Sequence, residues 1–140
     1  MIRIVLAAFA ALSLATPAWA QEKAAVLYKA EGCGCCDGHA DHLRANGYKV
    51  RVVELADLEL IKKKHSVPAA QAGCHTIEVG GYVVEGHVPA KIIDKLLAEK
   101  PPIRGISLPG MPEGSPGMGG AKAEPFTVEE LGSGKVFAVD

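Results

Sequence analysis

The chain has 140 residues, a formal net charge of −1, 22% charged residues and only 5% aromatic ones. Lys62-Lys63-Lys64 is its only basic run, and no basic-aromatic interleaving appears, which argues against nucleic acid as a partner. Four cysteines, three of them within residues 33–36, do not make a disulfide framework either, because bridges stabilise most when they join distant segments.

Met1-Ile2-Arg3 reads as a short basic n-region, and Ile4 to Ala15 as an apolar run of signal-peptide length. Thr16-Pro17 breaks the run, and Ala18-Trp19-Ala20 offers a small-x-small cleavage pattern. The run is too short to span a bilayer. Residues 1–20 are therefore expected to be cleaved, leaving a mature chain from Gln21 in a disulfide-permissive compartment, the periplasm of a Gram-negative bacterium. No membrane span is expected after cleavage. The mature chain is long enough for one domain, with a Pro/Gly-rich extension over 101–140.

Residues 24–30 form an apolar run of strand length, ended by Glu31-Gly32. A helix is predicted over 36–46, with Ala40, Leu43 and Gly47 at helical spacing and Asp37 and Asp41 near its start, where carboxylates suit the helix dipole. Tyr48 to Leu55 is a second strand, and Asp57 caps a short helix, LELIKKK, whose lysines are read as a helix surface. Cys74 to Val79 and Tyr82 to Glu85 form a hairpin about Gly80-Gly81. A last helix, AKIIDKLLAEK, stops at Pro101-Pro102. This βαβαββα order predicts an α/β fold with a four-stranded mixed sheet covered by helices. Residues 101–125 lack periodicity and are expected to be disordered or functional. The ending, FTVEELGSGKVFAVD, predicts a short hairpin about Gly132-Ser133-Gly134.

The chemistry collects in "EGCGCCDGHADHL". Cys33 and Cys36 form a C-x-x-C pair at the first strand–helix junction, where backbone N–H groups and the dipole favour thiolate. That placement in this element order is thioredoxin-like. If the third strand lies antiparallel beside the first, Cys74-His75 arrives beside this turn, and His87 reaches the same rim from the end of the fourth strand. Cys35 is superfluous to a dithiol. Neighbouring Cys35 and Cys36 are expected to diverge, serving a single tetrahedral zinc poorly but separate or bridged metal ions well. Clustered thiolates with imidazole and thioether donors select copper(I).

His87 is the leading histidine ligand. Strand alternation would turn only one of Cys74 and His75 toward the cluster. His39, one helical turn from Cys35 and Cys36, is placed near the metal but off the Ala40/Leu43 core face. His42 and His65 are read as solvated. Met111 and Met118, in "GMPEGSPGM", either fill gaps or add thioether ligands.

These residues carry a resemblance. "GCGCC", "GCHT", "VVEGHVPA" and "PGMPEGSPGM", in this order over nearly all of the mature chain, are similar to those of the CopG-type family of periplasmic copper-resistance proteins. The resemblance implies a thioredoxin-like domain with a metal-binding C-terminal extension. It further implies a thiolate-bridged, multinuclear copper cluster beside Cys33, Cys35 and Cys36, and a role as a copper oxidoreductase interconverting Cu(I) and Cu(II) in copper resistance. Partners would be copper ions and copper efflux or chaperone proteins, met by a monomer. Storage or delivery would need the same ligands. Two other readings stand beside it: a thiol-disulfide oxidoreductase using Cys33 and Cys36, and a structural zinc protein.

Overall fold

The computed structural model describes residues 23–140, so the predicted leader and the start at Gln21 lie outside the described residues. Strand β1 (Lys23–Ala30) leads into helix α1 (Gly34–Ala45), followed by β2 (Tyr48–Leu55) and helix α2 (Glu59–Lys64). The hairpin β3 (His75–Val79) and β4 (Tyr82–Glu85) precedes helix α3 (Ala90–Glu99). Then come β5 (Gly105–Ser107), β6 (Thr127–Glu130) and β7 (Val136–Val139). The predicted elements are present within a residue or two at most ends. Helix α1 begins at Gly34, two residues before its predicted start, and so takes Cys35 as well as Cys36 into its first turn.

The four-stranded expectation is corrected to a mixed sheet of seven strands, in the order β2-β1-β3-β4-β5-β6-β7. The expected hairpin over the last residues exists as β6–β7, and β5 joins it to the rest. Parallel pairing of β5 with β4 aligns Val84 with Ile106. At Gly105 the two backbones come so close that a Cβ would sit 1.9 Å from the Val83 carbonyl oxygen. Only glycine permits that approach. Residues 101–125 are thus neither a tail nor a linker: they carry the strand that fuses the C-terminal hairpin to the sheet.

The sheet's two faces differ. Alternation along the paired strands aligns Leu27, Ile77, Val84 and Ile106 across one face. All four are fully buried, together with Ala40 and Leu43 of α1 and Ile93 and Leu96 of α3. Each leucine, isoleucine or valine among them contributes about 1.5–3 kcal/mol relative to an exposed one. Across the other face the same registers align Thr76, Glu85 and Ser107, also fully buried. This face is polar, and Lys62 of α2 is buried against it. The reading of Lys62 as helix surface is therefore wrong for the first of the three lysines.

Candidate metal centre

The CGCC turn is set by three anchors. Gly32, at φ +72°, turns the chain out of β1, a left-handed conformation that glycine adopts without strain. Cys33 is the N-cap of α1, and its carbonyl accepts the Asp37 N–H at 3.3 Å. The buried Lys29 ammonium bridges Asp37 and Glu54, at 2.9 Å each, tying the first turn of α1 to β2.

The antiparallel pairing of β1 with β3 puts Lys29 opposite His75, so Cys74 lands beside the turn as the topology requires. Cys33 and Cys36 are joined as a disulfide, and Cys35 and Cys74 are free thiols. Cys74 Sγ lies 3.6 Å from Cys36 Sγ and 3.9 Å from Cys35 Sγ, and Cys35 Sγ lies 3.6 Å from Cys33 Sγ. All four sulfurs fall within 4.8 Å of one another. Neighbouring Cys35 and Cys36 turn different ways without taking their sulfurs out of reach of one another. Cys36 points inward and is fully buried, whereas Cys33, Cys35 and Cys74 are half-buried and line the rim.

Behind the sulfurs sits a second donor group, His39, His75 and His87, all fully buried. Cys74 precedes the first residue of β3, so alternation does not separate it from His75, and both face the pocket. His39 is the correction: it does not lie off the core face but is buried with Cys36, Ala40 and Leu43. His42 and His65 are half-buried rather than solvated. His42 Nε2 accepts the Ala90 N–H at 3.2 Å, and His65 Nε2 lies 2.7 Å from Glu78.

Hydrogen bonding dictates the tautomers. A carbonyl can only accept, so His39 Nε2 donates to Val88 O at 2.9 Å, leaving Nδ1 bare. That nitrogen lies 2.7 Å from His75 Nε2, which must then carry the proton. His75 Nδ1 is consequently a lone pair, 3.3 Å from Cys74 Sγ. By the same logic His87 Nδ1 donates to Pro116 O at 2.7 Å, and its bare Nε2 lies 2.9 Å from Cys74 Sγ. Two lone pairs converge on one thiol, which has a single proton to give. A cation fits that arrangement better than hydrogen does, and neutral imidazoles oriented by a second hydrogen bond are how metal ligands are held.

The electrostatics agree. Burial pushes the Cys74 thiol up to about 12, with the neighbouring Cys35 adding to it and Lys62 opposing it. Burial also pulls His39 down to about 3, His75 well below its ordinary value, and His87 downward. The site thus holds neutral donors, and a bound cation would convert thiol to thiolate.

The 109–120 segment closes the site from above. Its turns are fixed by Gly114 N–H to Gly119 O at 2.9 Å and by Ser115 Oγ to Pro112 O at 2.6 Å. Gly117 lies directly on α1, where a Cβ would meet His39 N at 2.4 Å and Cys35 O at 2.5 Å. Met118, half-buried, is the next residue and is pinned by its N–H to Ser115 O at 2.9 Å, whereas Met111 is exposed. Sequence reasoning missed Pro116, whose carbonyl sets the His87 tautomer, and also Lys62, Thr76 and Glu85. The mid-segment "SPG" is a turn signal, but nothing in it names the histidine it meets.

No helix among the described residues is long and apolar enough to cross a membrane. Residues 71–118, which span Cys74 to Met118, match a family described as "Protein of unknown function, DUF411". No curated protein matches the chain. Two solved structures, "Copper resistance protein copG" in forms 1 and 2, each match at 39% identity with a TM-score of 0.75. The alignments cover 85% of this chain, and 96% and 95% of those chains.

Proposed function

Starting from the chain's membership of the CopG family of copper-resistance proteins, we propose that it binds copper in the periplasm. The proposed cargo site is a thiolate-bridged, multinuclear cluster at the mouth of α1. Cys33, Cys35, Cys36 and Cys74 supply sulfur, and His87 and His75 supply nitrogen through the bare Nε2 and Nδ1. His39 orients His75, and Met118 is the thioether better placed to join. Met111 would have to turn inward from an exposed position.

The observation that carries this reading is the excess of donors. Four sulfurs and two imidazole lone pairs meet around Cys74, more than one four-coordinate ion can use. Soft sulfur favours Cu(I) and imidazole tolerates Cu(II), so a mixed shell supports interconversion of the two states, the oxidoreductase role. The Cys33–Cys36 disulfide withholds two of the four sulfurs, and loading in full therefore needs the reduced protein. Copper resistance would follow from keeping the ion sequestered and in the state that efflux or chaperone proteins accept.

A second reading is favoured by one observation. Zn–S bonds of about 2.3 Å imply a tetrahedron edge of about 3.8 Å, close to three of the separations, Cys33–Cys35, Cys35–Cys74 and Cys36–Cys74 at 3.6–3.9 Å, although the Cys33–Cys36 disulfide would first have to be reduced. A closed zinc tetrathiolate would leave His75 and His87 without a role. Metal analysis of the protein exported and purified without oxygen, with copper and zinc both supplied, separates the two. Copper in excess of one per chain supports the cluster. One zinc and no copper would replace it with the structural site. The dithiol alternative, in which Cys35 or Cys74 resolves a Cys33–Cys36 exchange, leaves both imidazoles idle.

A further inference from the structure

We propose that the buried Lys62–Glu85 ion pair is the positioning element that holds Cys74, His75 and His87 in place for copper, acting from the polar face of the sheet. This rests on the copper reading above. Glu85 is fully buried and accepts from three donors: the Lys62 ammonium, the Gly73 N–H at 2.7 Å and the Thr76 hydroxyl at 2.7 Å. Gly73 and Thr76 are the residues immediately before and after Cys74-His75. One carboxylate therefore grips both ends of the dipeptide that points two donors into the pocket. Glu85 itself lies two residues before His87, so the third donor hangs from the same anchor.

The backbone shows how tightly this crossing is drawn. A Cβ at Gly73 would lie 2.8 Å from Gly86 Cα, and the Gly86 N–H donates to His75 O at 3.1 Å. Lys62 Nζ also reaches Thr76 Oγ1 at 3.5 Å, so α2 is fastened to both Glu85 and Thr76. Stability is a poor reason for burying such a pair, because well-packed apolar residues are often equally stable in its place. Apolar residues could not, however, accept the Gly73 N–H or orient Thr76. Removing the support of a metal ligand typically lowers metal affinity by about 10–100-fold.

The test uses the reduced mature chain, with Cu(I) retention read by competition with a Cu(I) chelator. Thermal unfolding and the near-ultraviolet copper–thiolate absorption are recorded beside it. The double variant K62M/E85L removes the pair and every hydrogen bond to it. It is expected to fold, to lose roughly 10–100-fold in Cu(I) retention and to show an altered absorption band. K62M/E85Q keeps volume and neutrality while restoring an acceptor for Gly73 and a donor for Thr76, and it is expected to recover most of the loss. Unchanged retention in K62M/E85L overturns the proposal. So does a loss that tracks the unfolding temperature through both variants, since that is what a merely structural pair would give. Should K62M/E85L not fold, Thr76→Val decides: it keeps the ion pair, is expected to weaken retention, and overturns the proposal if it does not. Wild-type protein that retains no Cu(I) would contradict the copper reading instead, a separate outcome.

Discussion

Replacing Gly117 with alanine should detach the segment that covers the metal pocket. Gly117 adopts φ +86°, where an L-residue costs about 1–2 kcal/mol. Its new Cβ would also lie 2.4 Å from His39 N, 2.5 Å from Cys35 O and 2.9 Å from Gly38 C. These are backbone atoms of α1, so the segment must lift rather than the helix yield. Lifting it withdraws Pro116 O from His87 Nδ1, leaving a buried donor that costs about 1–3 kcal/mol if unsatisfied. Together these give about 2–5 kcal/mol, a fall in unfolding temperature of roughly 10 °C or more for a domain of this size. Gly119→Ala is the control: its Cβ would meet nothing within 4 Å, and the change should stay within about 0.5 kcal/mol. Thermal unfolding of both, with Cu(I) retention measured alongside, reads the difference. Equal behaviour of the two variants would refute the docking of this segment on α1.

Cys35→Ser should reduce copper per chain about as much as Cys33→Ser while leaving the fold intact, as metal analysis and circular dichroism would show; a full copper load in Cys35→Ser would favour the dithiol. Met118→Leu should weaken Cu(I) retention more than Met111→Leu, because Met111 is exposed and Met118 adjoins the Gly117 contact; both should cost under about 1.5 kcal/mol in stability. Point substitutions suit this question better than truncation before Gly110, which would also remove the core residues Phe126 and Val128. Acid should weaken the fold through Glu78, whose carboxyl the Lys64 ammonium holds down to about 2, with Tyr28 and His65 also bonded to it. A depressed carboxylate contributes stability that is full above its ordinary value and is lost as pH falls toward about 2. Partial exposure limits the effect to about 1 kcal/mol, and urea unfolding at neutral pH and near pH 3 should show a loss smaller by that amount in Glu78→Gln than in the wild type, the remainder coming from Asp94 and Asp140, which are also held down.

Much of the site could be read before its geometry was known. The C-x-x-C turn, the antiparallel return of Cys74 and the approach of His87 to it all follow from element order, because strand pairing converts sequence distance into adjacency, although His87 lies buried behind the sulfurs and not at the rim. His39 was legible but misread: Cys36, His39, Ala40 and Leu43 fall at i, i+3, i+4 and i+7, the stripe of a buried helix face. The polar face of the sheet was not legible. Thr76 and Glu85 sit in strands whose alternation implies solvent on that side, and Lys62 stands in a run of three lysines. Only the packing of α2 across that face makes a buried pair of them. Strand β5 escaped for another reason: three residues between prolines are too short to show a period, and their place is set by close backbone approach at Gly105.

X-ray absorption at the copper edge of the reduced, copper-loaded protein tests the central claim most directly, because it reports which atoms surround the ion. The account predicts a shell dominated by sulfur with a minority of nitrogen, accompanied by scattering from a second copper, and loss of the copper–copper component in Cys35→Ser. A shell of nitrogen and oxygen alone, with no metal neighbour, would contradict it.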